Sequence, residues 1–267
     1  MIIAVVGYTA ATIWLIRQET RLVFQAGSTL ATGRPPFPYE QVDVPRSDGI
    51  RQFAWLIRHS GSDSGPWVLY LHGNISTIAS HVNISHYRIL RELGMNVLAP
   101  EFQGFGGIPG VPTQSTLQAD ARAASDYLLE HRKIPVGSVV TYGWSLGSVL
   151  AVHLASRVPP AGMILEGAPA SLVDLTTRKY PLFPLRLLMR SSAFDSIRRI
   201  DRLTVPMLFL HASEDEVVPI ADGRRLFEAA TAPKTFVEVN GGHISAIEVD
   251  AARFAAAIRE FVVRHVR

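Results

Sequence analysis

Cysteine is absent from all 267 residues, which excludes disulfides, thiolate nucleophiles and cysteine-ligated zinc or iron–sulfur sites. Charge is also sparse. Asp, Glu, Lys and Arg make up 18% of the chain, and the formal net charge is only +3. With no basic helix or nucleic-acid motif beside it, that balance does not point to nucleic acid. There is no Walker A loop and no His-Glu-x-x-His pair. In Gly104-Phe105-Gly106-Gly107-Ile108-Pro109-Gly110 the third glycine of a dinucleotide loop falls on Pro109. No cofactor or metal is expected. What is plentiful is apolar material: 48% of residues, ample for the core of one large domain or two small ones.

The first 16 residues carry no charged side chain and are followed by Arg17 and Arg21. The stretch lacks the basic start and small-residue cleavage site of a secretory signal. Residues 1–17 are expected to be an N-terminal membrane anchor, although slightly short of the roughly 20 residues a spanning helix needs. The side of the membrane is left open. Thr32-Gly33-Arg34-Pro35-Pro36-Phe37-Pro38 can be neither helix nor central strand, so 18–38 reads as a linker and the folded domain as 39–267.

Within that domain, apolar runs of strand length alternate with helical patterns. An antiparallel hairpin over Gln41–Val44 and Gln52–Ile57 is followed by a buried strand at Trp67–Leu71, a helix from Ile75 to Leu93 and a strand at Met95–Ala99. Leu117, Ala121, Ala124 and Leu128 mark one helix face, and Phe254, Ile258 and Phe261 another. Further strands are read at 138–142, 163–165, 207–210 and 235–239. This is an α/β pattern, a mainly parallel sheet with helices on both faces, whose ligands sit beyond the C-terminal strand ends. Between Ala168 and Thr204 the alternation stops. Such an insertion reads as a small helical cap. It holds seven basic side chains, Arg178, Lys179, Arg186, Arg190, Arg198, Arg199 and Arg202, against Asp174, Asp195 and Asp201. Arginines with apolar residues suit an acyl chain or an anionic lipid surface.

The chemistry centres on Gly143-Trp144-Ser145-Leu146-Gly147, set between a β-branched run and an apolar helix. Such a turn holds the serine above the strand ends at a helix N-terminus, where negative charge is favoured. A serine hydroxyl needs a base, and the base needs a carboxylate to fix its tautomer. Asn240-Gly241-Gly242-His243 follows one strand and His211-Ala212-Ser213-Glu214-Asp215-Glu216 another. His243 is the expected base. Asp215 fits the Ser…acid…His order, with Glu214, Glu216 and Glu166 as competing acids. His72 and His211, at strand ends, are expected near the site; His153 reads as a packed core histidine; His59, His81, His86, His131 and His265 read as surface residues. Oxyanion donors are expected from the N–H groups of Leu146 and, in His72-Gly73-Asn74, of Asn74.

These motifs, with Leu71-His72-Gly73-Asn74 and His211-x-x-x-Asp215-x-x-Val218-Pro219, resemble the α/β-hydrolase superfamily from about Tyr39 to the C-terminus. The chain looks most like its Bem46/ABHD13-type and ABHD17-like serine hydrolases, which often carry an N-terminal membrane segment. Gln18-Glu19-Thr20-Arg21-Leu22-Val23-Phe24-Gln25 resembles the stretch that follows that segment. The resemblance implies Ser145 as nucleophile, His243 as base, Asn74 and Leu146 as oxyanion donors, and settles Asp215 as the acid. One loop departs: where the family usually shows Asp-x-Arg-Gly-x-Gly, this chain has Glu101-Phe102-Gln103-Gly104-Phe105-Gly106. The function so implied is hydrolysis of a carboxylic ester or thioester of an acyl or lipid-like compound. An aminopeptidase-like activity using Glu101 or Glu166 to bind an amine, and a non-catalytic membrane-tethered binding protein, are the alternatives.

Overall fold

The computed structural model describes residues 2–17, 23–24, 33–183, 185 and 194–266. Eight strands form one sheet: β1 (Glu40–Val44), β2 (Gln52–Ile57), β3 (Trp67–Leu71), β4 (Asn96–Pro100), β5 (Val139–Trp144), β6 (Gly162–Glu166), β7 (Met207–Ala212) and β8 (Lys234–Val239). Their order is β1-β2-β4-β3-β5-β6-β7-β8. The β1–β2 and β2–β4 pairs are antiparallel and every other pair is parallel. Strands β3 to β7 are buried at every position, as continuous apolar runs demand when helices cover both faces.

The pleat sorts the core into two layers. Trp67, Leu69 and Leu71 of β3 pack, with Leu98, against the face that holds helices α3 (Gln114–Asp126), α4 (Leu146–Ala155) and α6 (Ile220–Ala229). Val68 and Tyr70 point the other way, to α2 (His81–Glu92) and α8 (Ala251–His265), where Phe254, Ile258 and Phe261 are buried. The short α7 (Ala246–Val249) precedes α8.

Two elements differ from their sequence reading. The helix expected from Ile75 begins only at His81; residues 73–80 instead make a turn that Asn83 fastens by donating from Nδ2 to the Thr77 carbonyl at 2.7 Å while its Oδ1 accepts from the Tyr70 hydroxyl. The expected membrane-spanning anchor is not found among the described residues. Helix α1 (Ile2–Arg17) has 16 residues, about 24 Å at 1.5 Å per residue against a hydrocarbon thickness of about 30 Å. No described helix is long and apolar enough to cross a membrane. Tyr8 of α1 instead stacks on Phe183 and donates its hydroxyl to the Leu182 carbonyl at 2.9 Å. In the stretch read as a linker, Val23 and Phe24 are buried in the core, Phe24 edge-on to Phe194.

The described part of the insertion is helical and holds no strand. Its helix α5 (Leu172–Lys179) is capped by Ser171, whose hydroxyl accepts from the Asp174 N–H. Crossed ion pairs, Arg178 with Asp222 and Arg225 with Asp174, fasten α5 to α6. Arg186 and Arg190 lie outside the described residues.

His153, on α4, is only 8% exposed. Burial first, then the charges of Arg199 and Arg157, pull it from its ordinary 6.5 down to about 4. A base depressed in the folded state stabilises the fold fully above pH 6.5. That contribution is lost as pH falls towards 4, because the unfolded chain takes the proton first. Stability measured by urea unfolding is expected to fall by about 2 kcal/mol more between pH 7 and pH 5 in the wild type than in His153→Gln.

Candidate active site

The chain leaves β5 through a sharp turn into α4, with Ser145 between them at φ 53° and ψ −115°. A side chain rarely holds that conformation, and it persists only where neighbours over-determine it. Here they do. The Ser145 N–H donates to the Glu166 carbonyl at 2.8 Å, and the Ser148 hydroxyl donates to the Ser145 carbonyl at 2.6 Å. Glycine is required on either side by contact: a Cβ on Gly143 would sit 2.4 Å from the Gly147 carbonyl oxygen, and one on Gly147 would sit 1.9 Å from that of Leu71. The start of α4 is thus pressed against the exit of β3. Leu146 and the Asn74 turn are thereby brought beside the serine. Neither N–H has an acceptor among the described residues.

Three side chains predicted from separate strand ends meet in one line. His243 Nε2 lies 3.0 Å from Ser145 Oγ, and its Nδ1 lies 2.8 Å from Asp215 Oδ2. The other carboxylate oxygen of Asp215 accepts from the N–H groups of Val217 at 3.0 Å and Val218 at 2.7 Å. Burial pushes the Asp215 carboxyl up, but the bond to His243, its charge and the Val218 N–H outweigh that, and the group is held below the usual carboxylate range. His211 is buried behind it and donates from Nε2 to the Val218 carbonyl at 2.9 Å; its basicity is lowered, chiefly by burial.

The competing acids have other partners. Glu216 accepts from the His243 N–H at 3.0 Å, and a Cβ on Gly242 would meet the same carboxylate at 2.6 Å. It pins the histidine loop. Glu166 accepts from the Tyr142 hydroxyl at 2.6 Å and faces His86 Nε2 at 2.7 Å. His86 is therefore no surface residue: it is buried, with Nδ1 donating to the Val82 carbonyl at 2.7 Å. Glu101, also buried, faces His72 Nε2 at 3.0 Å and accepts from the N–H groups of Ile78 and Phe102. His72 in turn donates from Nδ1 to the Gly73 carbonyl at 2.8 Å. The residue that replaces the family's aspartate thus braces the His72-Gly73-Asn74 loop. Trp144 was also missed: its ring stacks on His243 with centroids 5.7 Å apart, and a Cβ on Gly73 would meet it at 2.9 Å. The unnamed position of Gly-x-Ser-x-Gly gave no signal for that. Asn74 donates its side-chain amide to the Val23 carbonyl, which ties the loop to the N-terminal segment.

Among the described residues no group of His, Asp and Glu could hold a metal ion.

No family model matches the chain. It is 33% identical to Rv2307c of Mycobacterium tuberculosis over 98% of this chain and 94% of that one. It is 30% identical to the α/β hydrolase domain-containing protein WAV2 of Arabidopsis thaliana, over 76% of this chain and 71% of that one. Among solved structures, the Pyrococcus furiosus esterase Pf2001 superimposes with a TM-score of 0.74 over 90% of this chain and 96% of that one. At 18% identity that match attests to the fold.

Proposed function

Because the chain belongs to the α/β-hydrolase family, we propose that it is a serine hydrolase that cleaves carboxylic esters or thioesters of acyl or lipid-like compounds. The observation that carries this is the line Asp215–His243–Ser145, with hydrogen-bond separations of 2.8 and 3.0 Å. In this reading Ser145 Oγ attacks the acyl carbon while His243 Nε2 takes its proton. The oxyanion rests on the N–H groups of Asn74 and Leu146, and Asp215 stabilises the imidazolium. The leaving alcohol or thiol collects the proton from His243, and water repeats the sequence on the acyl-enzyme to release the acid. The catalytic domain is 39–267 with its cap at 168–204.

Three exposed aliphatic residues favour an acyl substrate. Ile75 adjoins Asn74, Val217 lies two residues past Asp215, and Ile244 adjoins His243. The Asn74, Asp215 and His243 loops thus each present apolar surface to water, which an acyl chain would cover. The cap adds Leu182, 80% exposed, beside Tyr8 of α1, and α1 itself exposes Val6, Ile13 and Trp14. That surface suits an interfacial contact with a membrane rather than a span. An aminopeptidase-like activity has less support, since Glu101 and Glu166 are committed to His72 and His86.

A fluorophosphonate probe tests the proposal directly. It is expected to label the wild type and not Ser145→Ala; labelling that persists in the variant would sink the assignment. Acyl esters of increasing length test the substrate class, which fails if turnover falls steadily beyond acetyl. Loosening the base is a further check. Glu216→Ala is expected to lower kcat about tenfold by letting His243 wander from its line, a fraction of the ~100-fold that an ångström of misplacement can cost. The melting temperature should barely move, and Glu216→Gln, which keeps the accepting oxygen, should restore most of the rate.

A further inference from the structure

A cleft of about 520 Å³ opens between the C-terminal end of α4 and residues 195–205, which lead into β7. It lies at the far end of α4 from Ser145, and its lining includes Ser156, Asp195, Arg198, Arg199, Arg202 and Thr204. Two short 3-10 turns, Ser196–Arg198 and Ile200–Arg202, shape its wall. In such turns side chains three apart eclipse one another. Asp195, which leads into the first turn, pairs through Oδ2 with Arg198 at 3.0 Å, and Arg199, which leads into the second, stands three residues before Arg202. Both arginines of the second turn line the cleft, and neither has a carboxylate partner among the described residues. Two unpaired cations lining one cleft favour an anion there.

Asp195, which lines the cleft, and two residues behind the lining carry unmatched polar atoms. The Ser196 hydroxyl, in a residue 2% exposed, has no hydrogen-bond partner, and neither does the buried Oδ1 of Asp195. Buried groups of this kind call for a missing partner. His153 on α4, which feels the charge of Arg199, also leaves Nδ1 unmatched. A bare phosphate would satisfy the arginines but would set its oxygens against the Asp195 carboxylate on the same wall, which takes a donor. A hydroxyl beside the phosphate supplies one. The volume far exceeds what a single phosphate fills and falls within the range of small-ligand sites.

We propose that this cleft binds the phosphate ester of a polyol, with Arg199 and Arg202 on the phosphate and Asp195 accepting from a hydroxyl of the polyol. The ligand is a free sugar phosphate or the phosphoglycerol head group of a lipid; the recognition chemistry is shared. The site is separate from Ser145 and does not depend on the hydrolase reading.

Calorimetric titration of the full chain with glycerol 3-phosphate and with inorganic phosphate tests it. Saturable binding of glycerol 3-phosphate is expected, weakened about tenfold by Arg199→Ala and again by Arg202→Ala, since each removes a charge-assisted bond to phosphate. Asp195→Asn should weaken glycerol 3-phosphate and spare inorganic phosphate. Turnover of a short soluble ester and the melting temperature, read on the same samples, should not change. Flotation with phosphatidylcholine vesicles, with and without phosphatidylglycerol, assigns the source. Capture that needs both the anionic lipid and the two arginines assigns the head group; binding in solution without capture assigns the free sugar phosphate. The proposal is overturned if glycerol 3-phosphate shows no saturable binding, if the double arginine variant binds it as the wild type does, or if Asp195→Asn leaves the preference over inorganic phosphate intact.

Discussion

Ser145→Ala is expected to lower kcat on a soluble acyl ester by about 10⁶-fold while leaving the folded domain in place. The size follows from the cooperative character of the site: without the hydroxyl, His243 and Asp215 have no proton to move, and only the N–H donors of the Asn74 and Leu146 turns still act on the carbonyl. A residual rate above that in water, about 10³ to 10⁴-fold, is expected from those donors and from binding. The backbone supplies an independent readout. Alanine inherits the φ of 53° that serine holds at the turn, so Ser145→Ala keeps whatever strain is stored there. Ser145→Gly releases it, and this second variant should be more stable than the first by about 1–3 kcal/mol in urea unfolding, though equally inactive. Equal stability of the two would mean that the turn stores no strain. Retention of more than a thousandth of the wild-type kcat in either would remove Ser145 from the chemistry.

What the sequence made legible is whatever repeats or clusters locally. The run Trp67–Leu71 is a strand with those bounds because five consecutive covered residues leave no other reading, and Phe254, Ile258 and Phe261 mark the buried face of α8 by spacing alone. Ser145, Asp215 and His243 could be named because each sits just past an apolar strand, where a parallel sheet delivers its C-terminal ends to one edge. Hidden were the groups whose partners lie far along the chain. His86 looked like a surface residue on a polar helix, yet it is buried with its Nε2 facing Glu166, 80 residues on. Glu101 and His72 are 29 residues apart, and Glu216 and the His243 N–H are 27 apart; no periodicity reports such pairs. The start of α2 was misplaced for a related reason, since Asn83 fastens the preceding turn through Tyr70 and Thr77. The apolar start of the chain was legible as apolar but not as to what it covers: Tyr8 rests on Phe183 of the cap.

Asp215→Asn should cost about 10⁴-fold in kcat although the substitution changes neither size nor shape. The reason lies in which atoms hold the carboxylate. Oδ1 accepts two backbone N–H groups, from Val217 and Val218, while Oδ2 accepts from His243 Nδ1. An asparagine must present its oxygen to the two N–H groups, so its amide nitrogen faces His243. Two donors cannot share that contact. His243 then places its proton on Nε2, 3.0 Å from Ser145 Oγ, where a base needs a lone pair. Asp215→Ala carries no donor to impose the wrong tautomer, but it releases the ring and leaves the imidazolium without its counter-charge. The isosteric variant is therefore expected to be no more active than the truncated one, an order opposite to what simple packing predicts. Measured kcat on one soluble ester decides it: an Asp215→Asn enzyme keeping a tenth of the wild-type rate would mean that the carboxylate does not set the tautomer of His243. Fluorophosphonate labelling should slow in parallel with turnover, because both begin with transfer of the same proton from Ser145 to Nε2.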